Sequence, residues 1–121
     1  MNNIPEQIAL LPLLARTVGV TQPPQLSYGY RGIKAVVTIT AAGSGSVTVT
    51  IKGQDAFGND YTLLASAALA SNATTVMTVH PSLTAATNVT ANDVLPAKFH
   101  VDVTANNANA VTYSVSYDLL P

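Results

Sequence analysis

From Ile33 to Leu120 the chain alternates branched apolar residues with threonine, serine and other small polar residues, and charges seldom interrupt the pattern. Val47-Thr48-Val49-Thr50-Ile51 and Val111-Thr112-Tyr113-Ser114-Val115-Ser116-Tyr117 are the clearest runs. Successive strand residues point to opposite faces, so each run makes a strand with one apolar and one hydroxyl-bearing face. The pattern predicts strands over 34–41, 46–54, 61–69, 74–80, 98–104 and 110–120. Turn residues separate them. Ala42-Gly43-Ser44-Gly45 predicts a hairpin between the first two, and Asn106-Asn107-Ala108-Asn109 a second hairpin between the last two. Asp55-Ala56-Phe57-Gly58-Asn59-Asp60 supplies a third reversal, because Asp and Asn bond their own backbone and Gly accepts positive φ. Pro81 ends a strand, and the irregular stretch 82–95 is expected to hold one helical turn at Leu83-Thr84-Ala85-Ala86.

Residues 1–27 differ in kind. Pro5, Pro12, Pro23 and Pro24 exclude a long helix, since proline lacks the N–H and clashes with the preceding turn. The segment is nevertheless strongly apolar, with Ile8, Leu10, Leu11, Leu13, Leu14 and Val18 as candidate interface residues. Two arrangements suit it: an edge strand packed on its own domain, or an extended arm laid on a neighbouring subunit. The expected organisation is therefore an N-terminal arm or edge segment over 1–27 and a β-sandwich domain over 28–121. The expected fold class is all-β, an antiparallel β-sandwich or jelly roll with an extended proline-containing N-terminal arm. Its expected core is Val36, Ile39, Val47, Val49, Ile51, Leu63, Val76, Val79, Phe99, Val101, Val103, Val111, Tyr113, Val115 and Tyr117.

Composition then narrows the classes of function. Of the 121 residues, 48% are hydrophobic and only 9% charged, where an ordinary soluble domain carries about 25% charged residues. With a net charge of −1 there is little electrostatic protection against association, which suits a protein that works assembled. Arg16, Arg31, Lys34, Lys52 and Lys98 are too scattered to follow a row of phosphates, so no nucleic-acid partner is expected. No run approaches the roughly 20 apolar residues of a bilayer span, so no membrane partner is expected. Ile8–Ala15 is short, contains Pro12 and follows Glu6, so no secretory leader is expected. The absence of cysteine removes disulfides and thiolate metal sites.

Candidate chemistry is sparse. His80 precedes Pro81 at a strand end and His100 lies between Phe99 and Val101; neither belongs to a recognisable nucleophile–base pattern. Gly43-Ser44-Gly45-Ser46 lacks the lysine and helix of a phosphate loop. Asp55, Asn59 and Asp60 could offer oxygens to calcium, but three are too few for an ion that takes six to eight. Tyr28, Tyr30, Tyr61, Tyr113 and Tyr117 could form a sugar platform, though tyrosines more often sit in cores or interfaces. No catalytic residue, cofactor or metal is expected, and the protein is not expected to be an enzyme.

The segments Tyr28-Gly29-Tyr30-Arg31-Gly32, Tyr61-Thr62-Leu63-Leu64-Ala65-Ser66-Ala67, His80-Pro81-Ser82-Leu83-Thr84-Ala85-Ala86 and Asp93-Val94-Leu95-Pro96 resemble a group of small β-rich proteins of tailed bacteriophages and prophages. More broadly, the chain is similar to phage cement or decoration proteins, often trimers with a sandwich or jelly-roll fold and an N-terminal arm. That resemblance implies a structural virion protein on the capsid exterior, a homo-oligomer, with the major capsid protein as partner. A tail or fibre component and a carbohydrate-binding or adhesin module are the competing expectations.

Overall fold

The computed structural model describes residues 6–121; residues 1–5 of the expected arm lie outside the described residues. Among the described residues ten strands follow one another: β1 (Glu6–Arg16), β2 (Val20–Thr21), β3 (Gln25–Leu26), β4 (Gly32–Ala41), β5 (Val47–Gln54), β6 (Asp60–Ala65), β7 (Thr74–Val79), β8 (Thr90–Ala91), β9 (Lys98–Ala105) and β10 (Val111–Leu120). They form two sheets. One has the order β1-β10-β4-β7-β8, and the other β2-β9-β5-β6 with β3 also on β9. Every pairing is antiparallel except the short parallel contact of β7 with β8. The alternating pattern thus builds the expected all-β sandwich, with Val37, Ile39, Val49, Ile51, Met77, Phe99, Val101, Tyr113 and Val115 among the side chains buried between the sheets. Phe99 and Tyr117 meet edge to face, ring centroids 5.8 Å apart.

Two expected hairpins are corrected. β4 and β5 lie in different sheets, as do β9 and β10, so the 42–46 and 106–110 turns carry the chain across the sandwich. Alternation shows that a segment is a strand with one buried face. A short turn can bring the next strand alongside in the same sheet or face to face with it, and both satisfy that requirement. The β5–β6 reversal is a true hairpin. Residues 83–86 form no helix; this stretch is bend and bridge, with Asn88 at φ 62° in the turn before β8.

Three expected core residues are also corrected. Val36 is only partly buried and Val76 is exposed, while Ala35, Val37, Met77 and Val79 face inward. Val36 and Ile39 are three residues apart and cannot share a face of a regular strand. Leu63 fails for a different reason. Ile51 pairs with Leu64 and Lys52 with Thr62, so Leu63 is the extra residue of a β-bulge and Leu64 takes the inward place.

Within residues 6–26, β1, β2 and β3 are strands of this same sandwich. β1 runs antiparallel along β10 from Glu6↔Leu119 to Arg16↔Val111, with register shifts on both sides of Leu11. Pro12 lies within the second of these irregularities, and a regular inner strand would not accept it. The Arg16 guanidinium folds back over the Tyr113 ring, 4.8 Å from its centroid, and donates to the carbonyls of Pro12 (2.7 Å), Leu14 (3.2 Å) and Tyr113 (2.9 Å). Arg16 therefore satisfies the carbonyls that the bulged edge leaves over.

Candidate functional site

The apolar N-terminal residues divide along β1. Ile8, Leu10 and Leu11 are partly buried and pack against the core. Leu13 and Leu14 remain 54% and 57% exposed, and Val18, in the turn before β2, is 70% exposed. Leu13 falls within the register shift between Leu11 and Leu14, and Leu14 resumes regular pairing opposite Tyr113. Three of the six residues thus pack against the core, and three are exposed on β1, at one edge of the sandwich, and in the bend after it.

The other sequence candidates are dispersed. Asp55 is consumed by its own turn: Oδ1 accepts the N–H groups of Phe57 (2.9 Å) and Asn59 (2.8 Å), and Oδ2 accepts the Asn59 side-chain amide (3.1 Å). The backbone and side-chain hydrogen bonds from Asn59 hold its carboxyl below the usual range. Asp60 points instead to Gln54 and His100. The three oxygen donors weighed for calcium thus do not converge. Tyr113 and Tyr117 are core residues, unavailable to a sugar platform, while Tyr28 is exposed and Tyr61 half exposed.

His80 closes a local turn. The backbone N–H of Ser82 donates to Nδ1 (3.1 Å), which makes Nδ1 an acceptor and leaves Nε2 to donate to the Pro121 carbonyl at 3.1 Å. The Ser82 hydroxyl also lies 2.7 Å from Nδ1. A serine beside an imidazole is the start of a nucleophilic pair, but the orienting partner here is a backbone carbonyl. Lys34, Thr78, His80, Ser82, Leu83 and Leu120 line an open groove of about 430 Å³ at this end of the sandwich.

His100 has the more constrained setting. It alternates with Phe99 and Val101, so it lies on the outer face of β9, yet it is only 3% exposed. Its Nδ1 is 2.6 Å from Asp102 Oδ1 and its Nε2 is 3.1 Å from Asp60 Oδ1, while Lys52 Nζ is 3.4 Å from Asp102 Oδ2. Burial pulls the imidazole pKa down, but the two carboxylates outweigh it and the net shift is upward. The His100 hydrogen bond, followed by that from Gln54, lowers Asp60.

Sequence reading missed Gln22, Arg16 and the His100 cluster. The available signal for the cluster was the His100-x-Asp102 spacing, which places both side chains on one strand face; its partners on β5 and β6 depend on strand order.

No family model matches the chain, and no curated protein matches it. The fold is similar to the crystal structure of the SPBc2 prophage-derived protein YomS, with a TM-score of 0.52 at 12% identity, over 98% of this chain and 96% of that one. It is also similar to a chain in the structure of infectious bursal disease virus, Gx strain, with a TM-score of 0.51 at 12% identity. That match covers 95% of this chain and 31% of the viral one. At such identities the likeness concerns the fold.

Proposed function

We propose that the chain is a structural protein of a phage or viral particle, and that it works as a cement or decoration protein that clamps neighbouring major capsid protein subunits from the capsid exterior. The exposure of the apolar side chains of Leu13, Leu14 and Val18 carries this reading. Leu13 and Leu14 belong to an edge strand that is itself anchored along β10, so they offer a rigid contact to a partner. Exposed apolar side chains at one sheet edge, on a chain with so few charges, suit a broad protein interface. The likeness to a prophage-derived protein and to a chain of a virus structure supports the particle setting. In this reading the molecule acts by binding, as a homotrimer, with residues 1–27 contributing the attachment segment. Several weak contacts held on a repeating lattice add up through effective concentration, and binding the assembled shell stabilises it by mass action.

The test is to strip or omit the protein from its particles, then add back wild-type chain or the triple variant Leu13→Asp, Leu14→Asp, Val18→Asp. Wild-type chain should sediment as a trimer, saturate heads at a copy number comparable to the major capsid protein, and raise the temperature at which packaged DNA escapes. The variant should fold and fail to attach. Unchanged DNA release with saturating wild-type chain removes the clamp, and labelling confined to the tail reassigns the protein to that structure.

A further inference from the structure

A neutral imidazole has one N–H; an imidazolium has two. His100 has a carboxylate oxygen on each ring nitrogen, at 2.6 Å from Asp102 and 3.1 Å from Asp60. If the ring were neutral, one nitrogen would aim a lone pair at an anionic oxygen. With both carboxyls ionised, both contacts together call for the charged ring. Among the surrounding charges the two carboxylates favour that state and the lysines oppose it. From β5 comes Lys52, which pairs with Asp102 Oδ2; from β6 comes Asp60; and β9 itself adds Asp102 and, on the same face, Lys98. The β2–β3 segment, residues 20–26, brings no titratable side chain.

Asp60 is the first residue of β6, the edge strand of its sheet, and directly follows the turn that exposes Phe57 at 90%. We propose that His100 is a proton-operated clasp for the β5–β6 hairpin: charged, it ties Asp60 of the edge strand to Asp102 of β9; neutral, it keeps Asp102 and releases Asp60. Asp102 is retained because its contact is shorter, its side chain is the more buried (11% against 42% exposed), and Lys52 holds its second oxygen. The raised imidazole pKa and the lowered Asp60 pKa agree with the geometry. The sign follows from both. The stabilisation from His100 is complete below its unfolded pKa, about 6.5, and is lost as pH rises through the higher folded value. The Asp60 contribution is present above its unfolded pKa and lost as pH falls through its lowered folded value. The clasp is therefore closed between those folded values and opens on the alkaline side.

The test follows the ring nitrogens of His100 by ¹⁵N NMR, and the exchange protection of the Asp60–Ala65 amides, from about pH 5 to about pH 9. Wild-type chain should show two protonated ring nitrogens at the acid end. Protection in β6 should fall about fivefold or more as the ring loses its proton, the effect of one charge-assisted contact. Asp60→Asn, a partly exposed position, should fold, lower the His100 pKa and abolish the step in β6 protection. A ring neutral at the acid end, a ring charged throughout the range, or a β6 profile identical in wild-type and Asp60→Asn chains overturns the proposal.

Discussion

Gln22→Met should destabilise the fold far more than a change in a connecting segment ordinarily does. β2 pairs with Val103 and Asp102, and β3 with Phe99 and Lys98, so the ladder on this side of β9 is interrupted in between. Pro23 and Pro24 fill the gap without N–H groups. The Gln22 side chain, 7% exposed, takes the place of backbone: Oε1 accepts the Val101 N–H at 2.9 Å and Nε2 donates to the Tyr117 hydroxyl at 3.0 Å. Methionine preserves length and packing but can make neither bond. The orphaned Val101 N–H costs about 1–3 kcal/mol, and the lost bond to Tyr117 adds about 0.5–1.5 kcal/mol. We expect a loss of about 2–4 kcal/mol, a large share of a typical domain stability of about 5–15 kcal/mol. Urea unfolding followed by circular dichroism should show a lower midpoint with an unchanged slope. The neighbouring, exposed Thr21→Ala should stay within about 0.5 kcal/mol. A Gln22→Met change as small as that of Thr21→Ala would refute the idea that this amide completes the ladder.

Phe99→Ala, at a fully buried side chain in edge contact with Tyr117, should cost about 3–5 kcal/mol in the same unfolding assay, whereas Phe99→Leu should cost under about 1.5 kcal/mol. Val37→Thr should cost about 1–3 kcal/mol by burying a hydroxyl, while Val76→Thr, on the exposed face, should stay within about 0.5 kcal/mol; equal losses would contradict the strand phase described here. Asp55→Ala should abolish exchange protection at the Phe57 and Asn59 amides. In the wild type the same protection should persist above the ordinary carboxylate pKa and disappear only as pH falls through the lowered folded value; retention in the variant would show that the backbone alone holds the turn.

The strands were legible because alternation is a direct imprint of a half-buried pleat, and their starts and ends lie close to the observed ones except that the strand expected over 61–69 stops at Ala65. Strand partnership was not. The turns at 42–46 and 106–110 have the composition of hairpin turns, yet each joins strands of opposite sheets. Core phase was misread where two apolar residues adjoin, at Val36-Val37, Leu63-Leu64 and Val76-Met77, since either member of such a pair can face inward until register decides. Leu13 and Leu14 could be named as apolar and awkward, but their exposure depends on how β1 lies along β10. Gln22, Arg16 and His100 were opaque for a common reason. Each acts through partners distant in sequence: Tyr117 and Val101, Tyr113, and Asp60 with Lys52.

The place of β10 has a kinetic meaning. It emerges last from the ribosome among the described strands, yet it occupies an inner lane between β1 and β4. Until residues 111–120 are available, β1 has no neighbour to pair with and one hydrogen-bonding edge of β4 is unpaired. Closure of that sheet must wait for a long-range search, which places folding among the slow, high-contact-order topologies of the millisecond-to-second range. Any truncated translation product would lack the lane that sets β1 in place. Leu13 and Leu14 are thus presented in ordered form only by chains that extend through β10.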